Sequence, residues 1–181
     1  TSASQTFTIT VKPVNDQPSF TDGGNIAVDE DSGAYSAAWA NTPTLSVGPL
    51  NEQQTHTFVL QSTTVQSLAG NTSLFEAAPA IDPQTGAISF SPKANASGVA
   101  QLTAVLKDDD GVADGGQDTS AVHTFTITVR AVDDPPAFTA GGDVAVLEDS
   151  GAYSAVWATA ITPGGGTDES SQTLTFTLTG Y

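Results

Sequence analysis

The strongest constraint on this chain is that it repeats itself with a long period. Thr6-Phe-Thr-Ile-Thr-Val11 returns as Thr124-Phe-Thr-Ile-Thr-Val129, 118 positions later. Asp31-Ser-Gly-Ala-Tyr-Ser-Ala37 returns as Asp149-Ser-Gly-Ala-Tyr-Ser-Ala155 at the same offset. Trp39 maps onto Trp157, and Thr57-Phe58 onto Thr175-Phe176, again in one register. A period of this size is a whole domain rather than a solenoid unit. The sequence therefore reads as one complete repeat over residues 15–133. Residues 1–14 read as the last strand of a preceding repeat, and residues 134–181 as the first strands of a following one. The expected context is a longer tandem array. The alternative is a subunit whose partial repeats pair with neighbouring chains.

Alternation of β-branched and aromatic residues with polar ones marks strands near 24–28, 34–40, 54–60, 73–77, 87–91, 99–107 and 121–131. Gly, Pro, Asn and Asp clusters separate them. No segment sustains a helical period. Short strands at this density predict an all-β fold, a Greek-key sandwich of two sheets. The inward faces follow from the period of two. They are Phe125, Ile127 and Val129 on the last strand and Leu102, Ala104 and Leu106 on the one before. Ile88, Phe90, Phe58 and Leu60 join them, with Tyr35, Ala37 and Trp39 on one face of the second strand. Trp39 and Trp157 are both expected in cores, where burial of each large apolar side chain contributes roughly 1.5–3 kcal/mol.

Composition bounds the partners. Four Lys or Arg against twenty Asp or Glu give a formal charge of -16, and there is no Cys. Such a chain is repelled by phosphate, which argues against nucleic acid and anionic membrane surfaces. Without Cys there is no disulfide framework, thiol nucleophile or thiolate metal site. No apolar run approaches the roughly 18 residues that span a bilayer. His56 is replaced by Leu174 one period on, which suits packing better than catalysis, and His123 reads as an edge or capping residue. No nucleophile motif or isolated carboxylate pair appears, so an enzyme is not expected.

Two linkers, Val14-Asn-Asp-Gln-Pro-Ser-Phe20 and Val132-Asp-Asp-Pro-Pro-Ala-Phe138, resemble the Asn-Asp-Asn-x-Pro-x-Phe linker between cadherin repeats. Phe75 followed by Ile81-Asp82-Pro83-Gln84-Thr85-Gly86-Ala87-Ile88 is similar to the cadherin Phe-x-Ile-Asp-x-x-Thr-Gly-x-Ile stretch. Phe90-Ser-Pro-Lys-Ala-Asn-Ala-Ser-Gly98 and Asp108-Asp-Asp-Gly111 resemble bacterial cadherin-like repeats of large secreted adhesins, including the RTX type. The resemblance implies an extracellular or cell-surface location and Ca²⁺ between repeats. The chain departs from the cadherin pattern in the loop 91–97, which carries no acid. That departure implies fewer ligands at a junction.

Alternating strand direction along the sequence sorts the acids by end. Glu30 and Asp31 fall beside Asp133 and Asp134 of the second linker, where Asp168 and Glu169 of the following repeat also arrive. At the opposite end Asn15, Asp16, Asn51 and Glu52 meet the acidic loop of Asp108, Asp109 and Asp110. Two carboxylates about 5 Å apart repel by roughly 3 kcal/mol at an effective dielectric near 20. Oxygen is the abundant ligand, and Ca²⁺ takes 6–8 oxygens in flexible geometry. Asp82 is expected to form a turn, and Asp22 and Asp143 to be solvated. The expected function is a structural extender of a calcium-dependent adhesin or surface filament. Its partners would be neighbouring repeats of the chain, or further copies of it in a filament. The rivals are a glycan- or protein-binding module and a filament subunit assembling by strand donation.

Overall fold

The computed structural model describes residues 1–46, 54–69, 73–166 and 168–180, with residues 42–46 as backbone. The described chain is all-β in several sheets, consistent with a β-sandwich, and its only helical pieces are single 3₁₀ turns at Glu30–Ser32 and Ala113–Gly115. The strands are β1 (Ser19–Asp22), β2 (Ile26–Asp29), β3 (Tyr35–Ala38), β4 (Ala40–Ser46), β5 (His56–Ala69) and β6 (Phe75–Ile81). They continue as β7 (Ala87–Pro92), β8 (Ser97–Asp108), β9 (His123–Arg130), β10 (Ala137–Ala140) and β11 (Ala158–Thr162).

Strands β2-β9-β8-β5 form a four-stranded sheet, and β3-β7-β6 a three-stranded one. β1 pairs with β4, and β10 with β11. Strand β9 sits inside its sheet. It runs antiparallel to β8 and parallel to β2, with Ile26 opposite Ile127 and Val28 opposite Val129. Its alternate residues Phe125, Ile127 and Val129 are buried, as are Leu102, Ala104 and Leu106 of β8. Ile88 and Phe90 of β7 belong to the same apolar cluster, so residues of both larger sheets share one core. Tyr35 stacks on Phe90 with ring centroids 4.8 Å apart.

The sequence reading misses two features of this layout. The expected strand over 34–40 is two strands, β3 and β4, which belong to different sheets. β1, read as linker, is a strand paired with β4. The break between β3 and β4 falls at Trp39, whose indole N–H donates to the Gly24 carbonyl at 3.0 Å. Gly86 makes the close approach here possible. Its φ is 67°, and a Cβ there would lie 2.5 Å from that of Ala40 and 3.0 Å from the Phe58 ring. Asp82 opens the turn as expected. Its Oδ1 accepts from the amides of Thr85 (2.7 Å) and Gln84 (3.0 Å) and the Thr85 hydroxyl (2.8 Å). The Thr85 amide and hydroxyl hold this carboxyl below its ordinary pKa.

An aromatic group centres on Phe20. It meets Phe58 edge-on at 5.2 Å, Trp39 at 6.0 Å and His123 at 4.1 Å, while Phe125 lies over Trp39 at 4.2 Å. The geometry recurs one period later. Phe138 meets Phe176 at 5.1 Å and Trp157 at 6.2 Å, and Trp157 donates to the Gly142 carbonyl. Thr21 pairs with Asn41 and Asp22 with Ala40, as Thr139 pairs with Thr159 and Ala140 with Ala158. One expectation is corrected here. Trp157 is 48% exposed, whereas Trp39 is 3% exposed, because no counterpart of Phe125 covers it.

The two copies of Thr-Phe-Thr-Ile-Thr-Val provide a matched pair. Ile127 is fully buried and Ile9 is 77% exposed. Ile127→Ala should cost about 2–5 kcal/mol in urea unfolding. Ile9→Ala should stay within about 0.5 kcal/mol.

Candidate functional site

Strand β2 ends at Asp29, whose carboxylate accepts from Arg130 Nε at 3.0 Å. The chain then makes one 3₁₀ turn that tucks Glu30 inward, to 2% exposure. Glu30 Oε1 accepts the Val132 N–H at 2.9 Å, which fixes the exit of the chain from β9. Glu169, 3% exposed, reaches the same linker and accepts the Asp134 N–H. The residues Gly164-Gly-Gly166 let the loop settle on this surface. A Cβ on Gly164 would collide with Glu169 and Asp134, one on Gly165 with Asn95 and Asp134, and one on Gly166 with Asp168. Ala131, Val132, Asp133, Asp168, Glu169 and Gln172 line a cleft of about 210 Å³.

Three buried carboxylate oxygens here accept no hydrogen bond: Glu30 Oε2, Asp168 Oδ1 and Glu169 Oε2. Burial pushes Glu30 above its ordinary pKa. The Val132 amide opposes that rise, while the charges of Asp168, Asp31 and Asp134 add to it. Of the six acids expected at this junction, Glu30, Asp134, Asp168 and Glu169 converge. Asp31 is exposed within electrostatic reach of Glu30, and Asp133 is exposed and accepts from Gln172 Nε2 at 2.6 Å. Asn95 completes the surroundings. It carries a positive φ of 58° in the acid-free loop, so a search for carboxylates passes over it. Among the described residues, no three His, Cys, Asp or Glu side chains stand grouped as metal ligands.

The opposite end is built differently. Asn15 Nδ2 donates to Asp108 Oδ1 at 2.8 Å and to the carbonyls of Gly111 (2.9 Å) and Gln117 (3.1 Å). Gln54 Nε2 donates to Asn15 Oδ1 at 2.7 Å and to Asp110 Oδ2 at 3.1 Å. Asp109 accepts the Thr55 hydroxyl and amide at 2.7 and 2.9 Å, and these two donors lower its pKa. Asp16 is exposed. Asn51 and Glu52 lie outside the described residues. The acids of this end are thus largely engaged by amide and hydroxyl donors. Gln54 to Asn15 and Gln172 to Asp133 are the same contact one period apart.

One residue set aside as solvated is not. Asp22 Oδ2 lies 2.6 Å from His123 Nδ1, and its Oδ1 accepts the Gly24 N–H at 2.9 Å. This pair ties β1 to the start of β9. Nothing in the spacing of residues 101 positions apart signals it.

Comparison with protein-family models, with curated proteins and with solved structures finds no match.

Two outcomes follow from this geometry. A raised folded-state pKa means that ionised Glu30 opposes folding at neutral pH. The penalty is relieved as pH falls through the raised pKa towards 4.5. Without divalent cations, Glu30→Gln should therefore raise the melting temperature, by about 2–4 °C for each kcal/mol relieved. The gap to the parent chain should shrink on acidification. At the other end, Asn15→Asp replaces the Nδ2 donor facing Asp108 by an acceptor. It should destabilise the chain by about 1–3 kcal/mol in chelator, measured by urea unfolding.

Proposed function

We propose that this chain is a structural extender, a tandem Greek-key sandwich repeat of a calcium-dependent extracellular adhesin or surface filament. Residues 15–133 make the complete repeat, and residues 134–181 begin the next. The carrying observation is the set of buried, unaccompanied carboxylate oxygens of Glu30, Asp168 and Glu169 around the linker. In a metal-free junction those oxygens are desolvated and repel one another. A hard cation removes both costs, and every candidate donor is oxygen: Glu30, Asp134, Asp168, Glu169 and the Asn95 amide. Bound Ca²⁺ would supply the positive charge that the junction lacks. The chain's own part is to bring acids of 29–31 and 133–134 against those of 168–169, so that one ion bridges two repeats. A bridged linker is stiff, and an array of such repeats projects whatever binding domain it carries. A glycan-binding reading draws no support from Trp39, which is buried in the core. No helix among the described residues is long and apolar enough to cross a membrane.

Small-angle scattering and thermal melting in calcium, in magnesium and in chelator test this reading. Calcium should lengthen and narrow the distribution of maximum dimensions. At a hundredfold excess over Kd it should stabilise the chain by about 2.7 kcal/mol. Asp168→Asn combined with Glu169→Gln should abolish both responses. Identical dimensions and melting temperatures in calcium and chelator would sink the reading.

A further inference from the structure

The apolar face of residues 6–11 has an internal precedent for what covers it. Phe7, Ile9 and Val11 are 85%, 77% and 88% exposed. Their sequence is that of β9, where Phe125, Ile127 and Val129 are buried against β2, β8 and Trp39. The surface that β9 covers is also duplicated. Val144 and Val146 stand one period after Ile26 and Val28 of β2, and are 52% and 56% exposed. Trp157, one period after Trp39, is 48% exposed. The chain thus displays an uncovered copy of β9 and an uncovered copy of its seat.

We propose that Thr6–Val11 of one copy of this chain pairs in parallel with residues 143–147 of a second copy, standing where β9 stands against β2. The Ile26–Ile127 and Val28–Val129 register places Ile9 opposite Val144 and Val11 opposite Val146. Phe7 then lies over Trp157 as Phe125 lies over Trp39. Charge fits as well. Residues 1–15 contain Lys12 and no acid, whereas residues 143–149 contain Asp143, Glu148 and Asp149 and no base. Lys12 occupies the position of Arg130, which within the repeat pairs with Asp29 at the end of β2.

The partner is a second copy rather than the same chain. Asn15 is fixed to Gly111 and Gln117 at the end where β9 begins, and the acceptor residues lie beyond the end where β9 leaves. The eight residues of β9 span about 23 Å at roughly 3.3 Å each. The four steps from Val11 to Asn15 reach at most about 14 Å. Donor and acceptor surfaces differ, so the contact is heterologous and grows head to tail.

The chain has no Cys, so introduced thiols report cleanly. Ile9→Cys and Val144→Cys chains are mixed under mild oxidation in chelator, which keeps the test independent of calcium. Paired Cα atoms in neighbouring strands lie near 4.8 Å, within the usual disulfide range. The mixture should give a reducible dimer, and adding Phe7→Glu to the donor chain should abolish it. Val112→Cys, 64% exposed on a distant loop, replaces Ile9→Cys as the control. A dimer yield no greater than the control overturns the proposal. So does equal dimer from Ile9→Cys chains alone, or a cyclised monomer from the chain carrying both thiols.

Discussion

Strand β9 is the element on which the rest depends. It is paired on both sides, to β2 in parallel and to β8 in antiparallel. One of its faces closes the aromatic group of Phe20, Trp39 and Phe58. The hydrophobic term is large because the face is complete, with Phe125, Ile127 and Val129 all at 2% exposure or less. Where the same aromatic arrangement lacks this strand, around Phe138, Trp157 and Phe176, the rings keep their geometry but stay about half exposed. Local pairing and indole hydrogen bonding set the shape of that arrangement. A strand brought from elsewhere in the sequence makes it a core.

The same strand delivers the chain to the junction. Arg130 ends β9 on Asp29, and two residues later the Val132 N–H meets Glu30. The linker is therefore positioned by backbone that the core holds still, and the acids converge on a fixed point. The two ends of the repeat then diverge through one substitution in register. Asn15 carries an amide that donates to Asp108 and two carbonyls, whereas Asp133, one period on, has only oxygens. One end satisfies its carboxylates with protein donors. The other leaves buried oxygens without any.

The sequence was most legible where one face of a strand is buried. Alternation on β7, β8 and β9 named their core residues, because a one-residue slip would expose every one of them. Alternating direction also sorted the acids to the correct ends, since each connection reverses the chain. It failed where burial imposes no period. β5 runs on to Ala69 through Ser, Thr and Gln that are exposed throughout, so its second half carries no hydrophobic signal. β1 lies beside linker prolines and was absorbed into them. Asn95 escaped because the search was for charge. Its only local sign was residue type, Asn being among the few that tolerate a positive φ. The Asp22–His123 contact joins residues 101 apart and leaves no trace in either neighbourhood.

The charge of -16 is uneven in its consequences. Asp82 and Asp109 are stabilised as anions by neighbouring Thr85 and Thr55, so their charge helps to hold turns. Stability from such groups is present above their ordinary pKa and lost as pH falls through the lowered one. Glu30 has the opposite sign, since its burial favours the neutral acid. Acidification therefore loosens the turns while relieving the junction, and neutral pH does the reverse. A fold that keeps the second state at neutral pH retains a desolvated acidic junction that its own donors leave incomplete. That is the condition under which an external cation has most to gain by binding.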